Sequence, residues 1–166
     1  MRDVRVAVAE IATSVYRAYV AEGASSGEAE AAAAMAVRAE RVAADGVRLA
    51  AAGLGRITAG RVGAEVVDGD PPRLDDPAER APLLRLRLAL DWVAATGRPI
   101  LVPELAAGPG IAALAVTEGH ADGLLVTGPA AEEEPPIPLA GLEVDGAAWA
   151  RLEAAAARYL VPEAAG

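Results

Sequence analysis

The sequence predicts an α/β (or α+β) protein, with an N-terminal helical unit packed on a small mixed sheet. Three observations carry this. Apolar residues recur at helical spacing through the first third of the chain, beginning with Ile11, Val15, Ala18 and Tyr19. Two short aliphatic runs, Ile100-Leu101-Val102 and Leu124-Leu125-Val126-Thr127, follow further on. Gly, Pro and Asp-Gly signals punctuate the segments between. The 166 residues suffice for one core, so residues 1–166 read as a single domain. Residues 1–62 are its helical part, 68–77 a linker loop and 78–166 its α/β part.

The elements follow in order. Residues 4–8 alternate weakly and can begin as a short strand. A helix over 8–22 ends at Gly23. Ser25 and Glu28 form a capping box, S-x-x-E, that opens a second helix to about residue 42. Asp45-Gly46 breaks it, and a third helix over 47–58 stops at Gly60. A strand is expected over 62–67. The Asp- and Pro-rich stretch 68–77 reads as exposed loop. Pro82 suits the first turn of a helix with a Leu83, Leu86, Leu90, Val93 stripe, capped by Gly97. The run 100–102 is a buried strand, 103–109 a loop, 110–118 a helix and 124–127 the next strand. That order predicts a βαβ unit at 99–127 with a parallel pair. Residues 129–138 form an acidic, proline-rich loop. A last helix over 146–160 has Asp145 as its N-cap.

Composition removes whole classes of chemistry. All 15 basic residues are Arg, and Cys, Asn and Gln are absent with Lys. No lysine can form a Schiff base or serve a phosphate-binding loop. No thiol can act as nucleophile, disulfide partner or zinc ligand. The missing residue types read as a bias of genomic base composition. A net charge of −9 argues against nucleic acid and against a polybasic membrane patch. No stretch reaches the roughly 18 apolar residues of a membrane span. Asp3, Glu10 and Arg17 interrupt any signal-peptide core, so a cytoplasmic location is expected. Apolar residues make up 54% of the chain and aromatics 3%. Residues 29–37 are almost continuously apolar beyond Glu30, which predicts a homo-oligomer or another protein partner.

A family likeness lies in two segments. Residues 39–49, Ala-Glu-Arg-Val-Ala-Ala-Asp-Gly-Val-Arg-Leu, continue into Gly55-Arg56-Ile57-Thr58-Ala59-Gly60-Arg61-Val62. Residues 89–127 contain Thr96-Gly97, the 100–102 strand, a glycine-containing loop and the strand at 124–127. Together they resemble a shortened, degenerate member of the malate/L-lactate dehydrogenase family that is unrelated to the Rossmann dehydrogenases. In that family an Asp-Ser-His-Gly turn precedes an Arg-Leu helix ending in Arg-Ala-Gly, and its histidine exchanges a proton with the substrate hydroxyl. Here the turn reads Ala43-Ala44-Asp45-Gly46, without histidine. Arg48 lies one position from the register of the family's carboxylate-holding arginine. The family's Asn-His-Phe-Gly loop is replaced by Leu105-Ala106-Ala107-Gly108-Pro109-Gly110. No dehydrogenase residue carries over, so a chain without an NAD(P) cofactor is expected, and with no Cys and a single His no metal site is expected either.

The remaining candidates are few. Asp45 and Arg48 can line a relic pocket, with Arg48 binding a carboxylate; the plainer reading makes Asp45 the N-cap of the third helix and Arg48 a solvated side chain. His120 is the one group with an ordinary pKa near neutrality. It can act as a general acid with Asp122 or Glu118 as orienter, or be an exposed histidine in a helix-to-strand turn. Gly108-Pro109-Gly110 can offer backbone N–H groups to an anion. Glu132, Glu133 and Glu134 can hold a hard cation or simply keep their loop solvated. The expectation is a non-catalytic relative of the dehydrogenases that acts as a subunit or as a binding module for a small molecule or protein. The alternative is a small cofactor-independent enzyme (an elimination, isomerisation or cyclisation) that reuses the relic pocket.

Overall fold

The computed structural model describes residues 3–57, 63–76, 80–131, 133, 135–138 and 140–159. The first expected elements are present. Strand β1 (Val4–Val6) leads into α1 (Val8–Ala21), whose apolar stripe buries Ile11, Val15, Ala18 and Tyr19. The Ser25 hydroxyl accepts the Glu28 N–H, and Glu28 Oε2 accepts the Ser25 N–H at 2.9 Å. This reciprocal cap opens α2 (Ser26–Ala43). Ala29, Ala32, Ala36 and Ala39 of α2 are fully buried, and small side chains let it lie close to α1.

The third helix is shorter than expected: α3 is Gly46–Gly53. A Cβ on Gly53 would stand 2.7 Å from both Ala81 Cβ and Tyr19 Oη. Beyond it Leu54 is extended and Gly55 has φ 82°, so the chain turns away there. The expected stop at Gly60 and the strand start at residue 62 lie outside the described residues; β2 is Glu65–Val67.

Two corrections concern the sheet. The 68–77 linker contains a strand, β3 (Arg73–Asp75), which pairs antiparallel with β2 and parallel with β4 (Ile100–Pro103). Arg-Leu-Asp has one apolar residue, and only the burial of Leu74 and its neighbours' hydrogen bonds make it a strand. The parallel strand–helix–strand unit is therefore β3, α4 (Pro82–Thr96) and β4, not a unit at 99–127. The expected helix over 110–118 is a single turn, α5 (Pro109–Ala112), followed by β5 (Ala115–His120). Strand β6 (Gly123–Pro129) forms a hairpin with β5 and runs antiparallel to β4. The β-branched pair Val116-Thr117 and the tight Ala121-Asp122 turn, followed by Gly123, outweigh the helix preference of the alanines.

The five strands lie in the order β2-β3-β4-β6-β5. Ile100 and Val102 pair with Val126 and Leu124 and are buried with them. Helix α4 packs on β4 and β6 and buries Leu83, Leu86, Ala89 and Val93. Helices α2 and α3 cover α4, and α1 and α6 (Gly146–Arg158) complete the helical group. Asp145 caps α6 as expected, accepting the Ala147 and Ala148 N–H groups. A further strand, β7 (Leu142–Val144), pairs with β1 and ties the two ends of the sequence together. The mixed sheet and helical unit give the α/β class predicted. No described helix is long and apolar enough to cross a membrane.

Candidate functional site

The turn between α2 and α3 gathers the charged residues that the sequence singles out. Ala44 is left-handed, with φ 51°, and swings the chain back so that Gly46 lies on α2. A Cβ on Gly46 would meet the Ala36 carbonyl oxygen at 1.8 Å. Glycine is therefore required here by close backbone approach.

Asp45 is not the side-chain cap of α3. Its Oδ2 accepts the Gly110 N–H at 3.0 Å, at the start of α5, and its Oδ1 pairs with Arg48 Nε at 3.0 Å. The backbone donor that the Gly108-Pro109-Gly110 loop can offer to an anion thus already holds one from within the chain. The fit is close, since a Cβ on Gly110 would lie 2.5 Å from Leu49 Cδ1 and 2.7 Å from Asp45 Oδ2. The carboxylate of Asp45 is largely enclosed, whereas the Arg48 side chain is 55% exposed.

Glu40 caps α3 instead. It is 4% exposed, and its Oε2 accepts the Val47 N–H at 2.8 Å. Burial raises its pKa; the Val47 and Gly46 N–H groups oppose this, the Asp45 charge adds to it and the Arg48 charge opposes it. Sequence reasoning missed Glu40. The signal was present, because Glu40 continues the buried Ala29, Ala33, Ala36 row of α2. Arg48 also contributes to a lowered pKa at Asp145, where the leading cause is the hydrogen bond from Ala148 N–H.

Two arginines of α2 anchor the segments around this turn. Arg38 Nε donates to the Ala113 carbonyl at 3.1 Å and Nη2 to that of Ala131. Arg41 donates to the Pro135 carbonyl. Ala131 and Pro135 of the acidic loop are thereby tied to α2. Glu132 and Glu134 lie outside the described residues, and Glu133 is exposed. Among the described residues no group of three or more carboxylate or histidine side chains is placed to hold a metal.

His120 is not in a helix-to-strand turn. It ends β5 at the hairpin, opposite Gly123, and is exposed. Its Nδ1 faces the Asp122 backbone N–H at 3.4 Å, so Asp122 contributes its main chain rather than its carboxylate. The imidazole lines a shallow cleft of about 280 Å³ with Arg98, Asp70 and Leu125. Neither Asp45 nor Arg48 lines that cleft.

No protein-family model matches this sequence, and no curated protein or solved structure matches it either.

Proposed function

We propose that the chain is a non-catalytic subunit or binding module of the cytoplasm, related by descent to the malate/L-lactate dehydrogenases. The observation that supports this reading is the engagement of Asp45. Its two carboxylate oxygens are taken up by Gly110 N–H and Arg48, and glycine and leucine fill the space around them. A site that binds and turns over a substrate needs polar groups converging on open space. Here the polar groups converge on the protein's own backbone. Their work is to dock α5 on the α2–α3 turn, which suits a scaffold.

The reading is tested by incubating the purified chain with malate, lactate and related 2-hydroxy acids and either NAD or NADP. The expected result is no cofactor reduction above a no-protein control. A missing general acid–base alone typically costs roughly 100- to 10,000-fold. Cofactor-dependent turnover would overturn the proposal.

A cofactor-independent enzyme has one observation in its favour. Glu40 is a buried carboxyl with a raised pKa, a property that clusters at catalytic sites. Its bond to Val47 N–H and its 4% exposure favour the structural role.

A further inference from the structure

Helices α1 and α2 leave an open groove of about 600 Å³ between them. Ala33 forms part of its floor, and Ala12, Ala34, Tyr16 and Tyr159 line it further. Tyr16 and Tyr159 meet edge to face, with centroids 6.3 Å apart and planes at 68°. Tyr159 is 44% exposed, a large aromatic surface for a chain with so few aromatics. Such rings are enriched where one protein buries another.

The same groove carries two charges of opposite sign, Arg17 on α1 and Glu30 on α2. Neither makes a hydrogen bond or ion pair among the described residues. An apolar strip bearing one unpaired cation and one unpaired anion is complementary to itself. A two-fold axis passing between the two residues brings each charge of one copy opposite the other charge of the second. Two copies of a chain of net charge −9 repel overall, and crossed pairing of the groove's opposite charges offsets that repulsion where the copies meet.

We propose that this groove is the contact face of a two-fold homodimer. The Ala and Tyr surfaces of the two copies pack together, and Arg17 of each pairs with Glu30 of the other. The inference rests on the subunit reading above and names the surface that the subunit uses.

Light scattering coupled to gel filtration, at micromolar concentration, tests it. The expected mass is twice the 16.7 kDa of one chain. Ala34→Arg places a long charged side chain on the exposed face and makes the chain less negative, so greater charge repulsion cannot explain a loss of dimer. It is expected to run as a monomer with unchanged circular dichroism. Arg17→Glu and Glu30→Arg are each expected to weaken the dimer roughly tenfold, since each removes two symmetric contacts, and the double reversal is expected to restore it. A wild-type monomer overturns the proposal. So does a dimer that forms only after residues 160–166 are removed, because the chain's own end would then occupy the groove. A dimer unaffected by Ala34→Arg, or charge reversals that fail to compensate, would overturn this surface while leaving the subunit reading intact. Dehydrogenase turnover would remove that reading without bearing on the dimer.

Discussion

Glu40 ionises at a cost, because the fold removes it from water while supplying few compensating bonds. An acid whose pKa is raised on folding contributes most stability below its ordinary value, here 4.5, where it is protonated in both states. That contribution is lost as pH rises through the folded value. Glu40→Gln keeps an acceptor for Val47 N–H and cannot ionise. The variant is expected to lose less thermal stability than the wild type between pH 4.5 and neutrality. Equal slopes in a pH series of melting curves would refute this account of Glu40. Asp45 acts differently, as an acceptor for another segment's backbone. Asp45→Ala strands the Gly110 N–H and the Arg48 guanidinium together, at a cost of about 1–2 kcal/mol in urea denaturation. Arg48→Ala is expected to cost within about 0.5 kcal/mol, since its side chain is 55% exposed and its ion pair screened. A larger effect from Arg48 than from Asp45 would reverse the roles assigned here.

The α2–α3 turn is held by one strained residue and one indispensable glycine. A left-handed non-glycine conformation costs about 1–2 kcal/mol. Ala44→Gly removes that cost but adds about 0.5–1 kcal/mol of unfolded-state entropy. A net gain of about 0.5 kcal/mol is expected, visible as a higher denaturant midpoint with an unchanged slope. Gly46→Ala, two residues on, is expected to destabilise by more than about 2 kcal/mol, because its methyl group meets backbone that cannot move aside. A mild Gly46→Ala phenotype would mean the turn can relax. The Asp45-Gly46 signal made the break between helices legible in the sequence. The left-handed role of Ala44 was not, since alanine is a helix former. Strand β5 escaped for a related reason. Its window is rich in alanine and lies just after a helical turn, and the short β-branched pair Val116-Thr117 outweighs that preference once β5 pairs with β6.

A net charge of −9 spread over a compact chain works against folding through self-repulsion. Several exposed pairs, such as Arg87 with Asp91 at 2.8 Å, offset this only locally. Raising sodium chloride from about 10 mM to about 0.5 M shortens the screening length from roughly 30 Å to under 10 Å. The melting temperature at fixed low protein concentration is expected to rise by a few degrees. A fall would show that the local ion pairs outweigh the overall repulsion. At the same scale the helical part at 1–62 and the α/β part at 78–166 pack against each other. Helix α6 returns to α1 and α3, β7 pairs with β1, and α4 lies between the helical group and the sheet.

What the sequence determined by itself is local. The Ser25–Glu28 box, Pro82 and Gly97 around α4, the Asp145 cap and the aliphatic runs of β4 and β6 are written in side chains that act on their own neighbours. The helical unit and the mixed sheet follow from their periodicity. What only the tertiary structure decided involves partners distant along the chain. It turned Arg73–Asp75 into a strand, moved the parallel unit to β3–α4–β4 and ran β6 against β4. It also brought Gly110 to Asp45 across 65 residues, so that a carboxylate in one turn accepts a backbone N–H from a distant segment. Hydrogen-bond partners of an edge and the solvent access of a carboxylate depend on what packs beside them, and no local pattern encodes that.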